Sequence, residues 1–121
     1  YWDGGITDYH MHLDYTALHD GLALIPHFQP TLVPGWLDKP FKHRHRASAR
    51  LDNVVLLVPH PEWVATLPNG KLPDRSDFKA YGDDAPARQH AWRVALAESA
   101  RLADEFEQLV ASPSVHADPL P

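Results

Sequence analysis

The run Asn53-Val54-Val55-Leu56-Leu57-Val58 decides the fold class. It is short, apolar throughout and rich in β-branched side chains. That composition predicts a strand buried on both faces, and Pro59 ends it because proline cannot continue the ladder. Upstream, Leu22 to Phe28 predicts a second apolar strand, with Pro26 marking its exit. Ile6 to Leu13 alternates with period two, Ile6, Asp8, His10 and His12 on one face and Thr7, Tyr9, Met11 and Leu13 on the other, which predicts a third strand.

Downstream the period changes. Pro61 suits the first turn of a short helix over Glu62–Leu67, and Pro68-Asn69-Gly70 reads as a turn. Asp84 is a candidate helix cap, with Pro86 in the first turn. Trp92, Leu96, Ser99, Ala103, Phe106 and Val110 then follow at spacings of four and three, one apolar stripe on a long C-terminal helix of about 26 residues. Trp92 and Phe106 are expected in the core, and Ser112-Pro113 is the stop. Few strands mixed with helices, one of them buried, indicate an α/β fold. Residues 1–111 are expected to form the ordered part, with 112–121 as a disordered tail.

Composition narrows the function. The net charge of −5 over 121 residues argues against nucleic acid as a partner. The absence of cysteine excludes disulfides and thiolate metal sites. No apolar run approaches the ~20 residues that span a bilayer, and the chain opens on no signal peptide. Its one methionine is Met11, and twelve prolines divide the first two thirds into short pieces. Three strands are few for a sheet carrying so long a helix, so the chain is expected to be part of a larger domain.

Asp3-Gly4-Gly5 places a carboxylate beside glycines that let backbone approach it closely. The block Asp3-Gly4-Gly5-Ile6-Thr7-Asp8-Tyr9-His10 resembles the Asp-Gly-Gly/Ala block of patatin-like phospholipases. The segments Gly21–Phe28, Val33–Lys39, Asp52–Pro59, Leu67–Phe78 and Ser99–Phe106 are similar, in order, to later segments of a bacterial branch of that family. The resemblance implies a patatin-like three-layer α/β/α fold. It also implies a Ser-Asp dyad that cleaves lipid esters without a cofactor, Asp3 being the catalytic base and Gly4 and Gly5 its support. The dyad's serine belongs to a Gly-x-Ser-x-Gly elbow, and its oxyanion hole to a glycine-rich loop. Neither motif is present, and Ser48, Ser76, Ser99, Ser112 and Ser114 lie in no elbow. An N-terminal catalytic half of the same protein is therefore the expected partner, beside a lipid ester substrate, in the cytoplasm or at a membrane periphery.

Two further groups stand out. On a strand, His10 and His12 share a face with Asp8 and Asp14, and Asp8-Tyr9-His10-Met11-His12-Leu13 also resembles the metal-binding opening of amidohydrolases. The alternative function is a metal-dependent hydrolase using His10 and His12. That family's barrel of about 250 residues supplies further ligands from distant strands, so no metal is assigned here. From Lys39 to Leu51, five of the eleven Lys/Arg occur without an acid, beside Trp36 and Phe41. Lys42, Arg44 and Arg46 are the candidate lipid-facing residues, for peripheral contact with an anionic membrane. A remnant used only for membrane or protein contact is the last alternative.

Overall fold

The computed structural model describes residues 1–112 and 114–121. They divide into two compact units, Tyr1–Val58 with Ala117–Pro121 and Pro59–His116. The chain is of mixed α/β character, with helices and a small parallel sheet.

In the first unit, strand β1 (Ala23–Pro26) pairs in parallel with β2 (Val54–Leu57), Ala23 opposite Val54 and Pro26 opposite Leu57. The ladder is flanked by the Ala23 amide donating to the Asn53 carbonyl (2.7 Å) and the His27 amide to the Leu57 carbonyl (2.9 Å). Pro26 has no amide to give, so pairing ends around it. Ile25 and Val54 point into a core with Leu32 and Leu51, flanked by Tyr15, Ala23, Leu56 and Leu120. Each large aliphatic side chain so buried stabilises by about 1.5–3 kcal/mol. Only Val54 of β2 is buried; Val55 to Leu57 are half-buried and Leu24 of β1 is exposed. Both expected strands are therefore present, shorter than the apolar runs, and β2 is only partly covered.

Parallel strands require a crossover, ordinarily an α-helix. Here the connection is three single 3₁₀ turns, Trp36–Asp38, Lys42–Arg44 and Ala49–Leu51. Pro30, Pro34 and Pro40 break up any longer helix. Asn53 anchors the preceding loop, its side-chain amide donating to the carbonyls of Leu18 (2.8 Å) and Tyr15 (3.3 Å). At the chain's end Leu120 packs on the core and the Ala47 amide donates to the Pro121 carbonyl (2.8 Å). Those two residues belong to the stretch expected to be disordered.

The strand expected over Ile6–Leu13 is not formed. Gly4–Ile6 is a 3₁₀ turn, and Met11 takes a left-handed φ of 55° that no strand accommodates. Alternation alone does not supply a partner strand, and the backbone finds other acceptors: the Tyr9 amide donates to the Pro34 carbonyl (2.9 Å) and the His12 amide to Asp8 Oδ1 (3.1 Å).

The second unit is helical. Helix α1 (Pro61–Thr66) is capped by His60, whose Nδ1 accepts from the Glu62 amide (3.3 Å). The turn Pro68–Gly70 follows, with Asn69 and Gly70 at φ of 65° and 63°, then α2 (Ser76–Tyr81). Helix α3 (Ala85–Glu98) begins as expected, Asp84 Oδ1 accepting from the Ala87 amide at 3.0 Å and Pro86 in the first turn. It stops at Ser99, and α4 (Ala100–Ala111) continues from there. The single long helix is thus two. The Ser99 hydroxyl donates to the Leu96 carbonyl at 2.7 Å and its amide is shared between the Ala95 and Leu96 carbonyls, so the side chain competes with the helical ladder. The apolar stripe is corrected too. Ala91 and Ala95 are the buried residues of α3, Trp92 is half-buried, and Leu96, Phe106 and Val110 are exposed. The stop falls after Ala111; Pro113 lies outside the described residues.

Candidate functional site

Asp3 begins the 3₁₀ turn Gly4–Ile6 as its cap, with Oδ1 accepting from the Gly5 amide at 2.7 Å. The turn closes through the Ile6 amide to the Asp3 carbonyl and the Thr7 amide to the Gly4 carbonyl, both 3.1 Å. The two glycines differ in role. A Cβ on Gly5 would stand 3.1 Å from Asp3 Oδ1, whereas one on Gly4 would meet nothing within 4 Å. Gly5 thus lets the carboxylate close on the backbone and Gly4 is sterically free. Asp3 is exposed and its carboxylate accepts no other hydrogen bond among the described residues. It does not stand at a strand entrance, since β1 starts only at Ala23. Ser48, the one serine of this unit, opens the turn Ala49–Leu51 and does not hydrogen-bond Asp3.

His10 and His12 do not share a face. His10 turns inward and is buried, while His12 stays half-exposed. The Val33 amide donates to His10 Nδ1 at 3.0 Å. His10 stacks on Tyr9 (centroids 4.4 Å apart) and meets His27 (4.5 Å) and Phe28 (5.4 Å) edge-on. Its Nε2 is buried without a hydrogen-bond partner among the described residues. Burial first, then the charges of His27 and Lys39, lower its pKa from 6.5 to about 4. Among the described residues, no group of three or more His, Cys, Asp or Glu could hold a metal ion. The arrangement expected of a His10/His12 metal site is replaced by a packed aromatic cluster.

The basic segment separates into two roles. Arg44 turns to Asp38, Nη1 to Oδ1 at 2.7 Å, and lies 5.1 Å over the Phe41 ring. The Arg44 hydrogen bond holds the Asp38 carboxyl below its ordinary range. His45 Nε2 donates to the Asp38 carbonyl (3.0 Å). Lys39 sets its ammonium 4.1 Å over Tyr9 and 5.9 Å from the Trp36 ring. Lys39, Lys42, His45 and Arg46 line an open cleft of about 590 Å³, with Gln29 and Thr31 from the loop after β1. Of the three residues singled out in the sequence, Lys42 and Arg46 belong to this cleft and Arg44 does not. The basic run held the cleft's cations, but nothing in it pointed to Gln29 and Thr31.

In the second unit, Asp77 is 1% exposed. Lys71 Nζ stands 2.7 Å from its Oδ1, while the Asp74 amide (3.0 Å) and Trp92 Nε1 (2.9 Å) donate to Oδ2. The Lys71 and Trp92 contacts lower its pKa to about 2. Sequence reasoning missed this group, because only folding brings Lys71, Asp77 and Trp92 together.

No protein-family model, no curated protein and no solved structure matches the chain.

Proposed function

We propose that this chain is the C-terminal part of a patatin-like lipid acyl hydrolase and supplies its catalytic base, Asp3. The observation that carries the reading is the state of that carboxylate. Oδ1 is held by the Gly5 amide while Oδ2 has no partner among the described residues and the side chain is open to approach. A dyad base needs this combination of fixed orientation and one free oxygen within hydrogen-bond reach of a hydroxyl. In the reaction, the hydroxyl oxygen of a serine in the N-terminal half bonds to the ester carbonyl carbon as its proton passes to Asp3. The ester C–O bond then breaks and its oxygen takes that proton, so an alcohol or lysolipid leaves. Water, deprotonated by the same carboxylate, releases the acyl group as a fatty acid and restores the serine.

Two other features agree. Parallel strands occur almost only in sheets covered on both faces, so β1 and β2 suit membership of a larger three-layer α/β/α sheet. Exposed apolar side chains at Leu24 of β1 and at Leu22 and Phe28 beside it would be covered there. The basic segment containing Lys42, Arg44 and Arg46 would then face the lipid surface.

The test is the reading frame upstream of Tyr1 and its product. A Gly-x-Ser-x-Gly elbow and a glycine-rich loop are expected there, with a fluorophosphonate probe labelling the elbow serine. The 121-residue chain alone is expected to hydrolyse no chromogenic ester and to take no label. An upstream frame without an elbow, or stoichiometric labelling of a serine within this chain, sinks the proposal.

A further inference from the structure

We infer that the cleft framed by Lys39, Lys42, His45 and Arg46 binds a phosphate-bearing ligand with two or more negative charges. This stands on the cleft alone and not on Asp3 or on hydrolase activity. Three permanent cations and an imidazole line one concavity of about 590 Å³, within the usual size of small-molecule sites. Among the described residues no Asp or Glu side chain lines it, and Val33 and Pro121 complete its wall. The nearest acid in sequence, Asp38, is engaged by Arg44 and by the Gly35 amide (3.1 Å). Among the described residues, the side chains of Lys42 and Arg46 have neither an ion pair nor a hydrogen bond, in a chain of net charge −5 with sixteen acids. Unpaired cations gathered in a concavity focus positive potential there.

The donor set favours phosphate over a simple carboxylate. A carboxylate is matched by a single arginine fork. Here the Arg46 fork and two lysine ammoniums suit an anion with more charge and more acceptor oxygens. Lys39 is steadied over the Tyr9 ring by a contact that occupies no hydrogen-bond acceptor. Thr31 Oγ1 accepts from Gln29 Nε2 at 3.2 Å, which leaves the threonine's own hydroxyl proton for a ligand oxygen. The phosphate could come from a lipid headgroup or a soluble phosphoester, and the chemistry of recognition is shared.

Calorimetric titration of the 121-residue chain with pyrophosphate tests the site, and flotation with vesicles separates the sources. The vesicles are phosphatidylcholine alone or with phosphatidic acid, whose headgroup is a phosphomonoester. Pyrophosphate is expected to bind, and Lys42→Gln with Arg46→Gln to weaken it at least about tenfold. Both side chains are exposed and unpaired, so the fold is retained. Arg50→Gln with Lys79→Gln removes the same charge outside the cleft and is expected to stay within about threefold. Phosphatidic acid vesicles bound in competition with pyrophosphate assign the headgroup. Pyrophosphate binding without vesicle binding assigns a soluble phosphoester. Absence of binding to both, vesicle binding that pyrophosphate does not displace, or equal losses in the two double variants overturns the inference.

Discussion

The Val33 amide donates to Nδ1 of His10 at 3.0 Å, joining two segments 23 residues apart. An amide can only donate, so Nδ1 must accept and the neutral ring carries its proton on Nε2. Protonating Nδ1 would oppose two N–H groups in a buried place, beside the charges of His27, Lys39 and His45. Burial leads the lowering of the pKa to about 4, with a smaller opposing pull from the Thr31 backbone.

Stability should therefore depend on pH in a defined window. The unfolded chain's His10 takes a proton near 6.5, whereas the folded chain's resists until about 4. As pH falls between those values, the unfolded state binds a proton that the folded state does not, and stability declines. Above 6.5 this contribution is flat. Urea midpoints from pH 7.5 to pH 4 should show the slope in the wild type and a shallower one in His10→Gln, which keeps an acceptor for Val33. An NMR titration placing His10 near 6.5 would refute the burial argument.

Asp77 gives a separate acid limb. Its pKa is lowered from 3.8 to about 2, first by Lys71 and then by Trp92. A depressed carboxylate stabilises above its unfolded value and loses that contribution as pH falls through the folded one. The loss belongs between about pH 3.8 and 2, below the His10 window. Asp77→Asn should lower the thermal midpoint and flatten this limb. It leaves the Lys71 ammonium without its closest partner, and breaking such a pair from one side is more damaging than replacing both. Trp92→Phe should cost less, because it removes one donor and keeps most of the ring packing against Phe78 (centroids 5.6 Å). A wild-type thermal midpoint for Asp77→Asn would mean that the ion pair contributes nothing net.

Gly35 and the Asp3 turn are coupled by contact. A Cβ on Gly35 would lie 2.7 Å from the Ile6 carbonyl oxygen and 3.1 Å from Asp38 Oδ2. The first neighbour is backbone and cannot swing away. Gly35→Ala should therefore destabilise by about 1–3 kcal/mol, the usual range for forced overpacking. Gly4→Ala meets nothing within 4 Å and should be close to neutral. Urea denaturation of the two variants distinguishes them, and equal stabilities would show that the Ile6–Gly35 approach can relax.

The strands and the start of α3 were legible because their signals are local. Apolar runs ending at Pro26 and Pro59, the second rich in β-branched residues, mark β1 and β2, and Asp84 with Pro86 marks the helix start. The alternation at Ile6–Leu13 misled because a period of two describes a face, not a partner. Tyr9 and His12 gave their amides to a loop carbonyl and a side chain instead of a ladder. Ser99 fits the helical spacing, so the break was invisible until its hydroxyl was seen on the Leu96 carbonyl. Asp3 was legible as a residue, but its setting was not: the strand it was expected to precede does not form. The cleft cations were partly legible as a basic run. Arg44's diversion to Asp38 was not, because sequence spacing does not say which cation takes the one nearby acid.

The sharpest functional prediction concerns Asp3→Asn in a protein that also contains the serine half. Asparagine keeps the shape and the oxygen that accepts from the Gly5 amide at 2.7 Å, so the 3₁₀ turn should persist. Asp3 is exposed and this is its one side-chain hydrogen bond among the described residues, so stability should change by less than about 1 kcal/mol. What asparagine cannot do is take a proton. If Asp3 is the dyad's base, turnover of a lipid ester should fall below about a tenth of wild type, more than ~1.4 kcal/mol of barrier. KM should change little, because the carboxylate acts on the serine and not on the substrate's tail or headgroup. Asp3→Glu supplies the control: a base is present but displaced by a methylene, and activity should lie between the two. Steady-state kinetics with urea midpoints for all three proteins separates chemistry from folding. Turnover above a tenth in Asp3→Asn, with the fold intact, would remove Asp3 from the dyad.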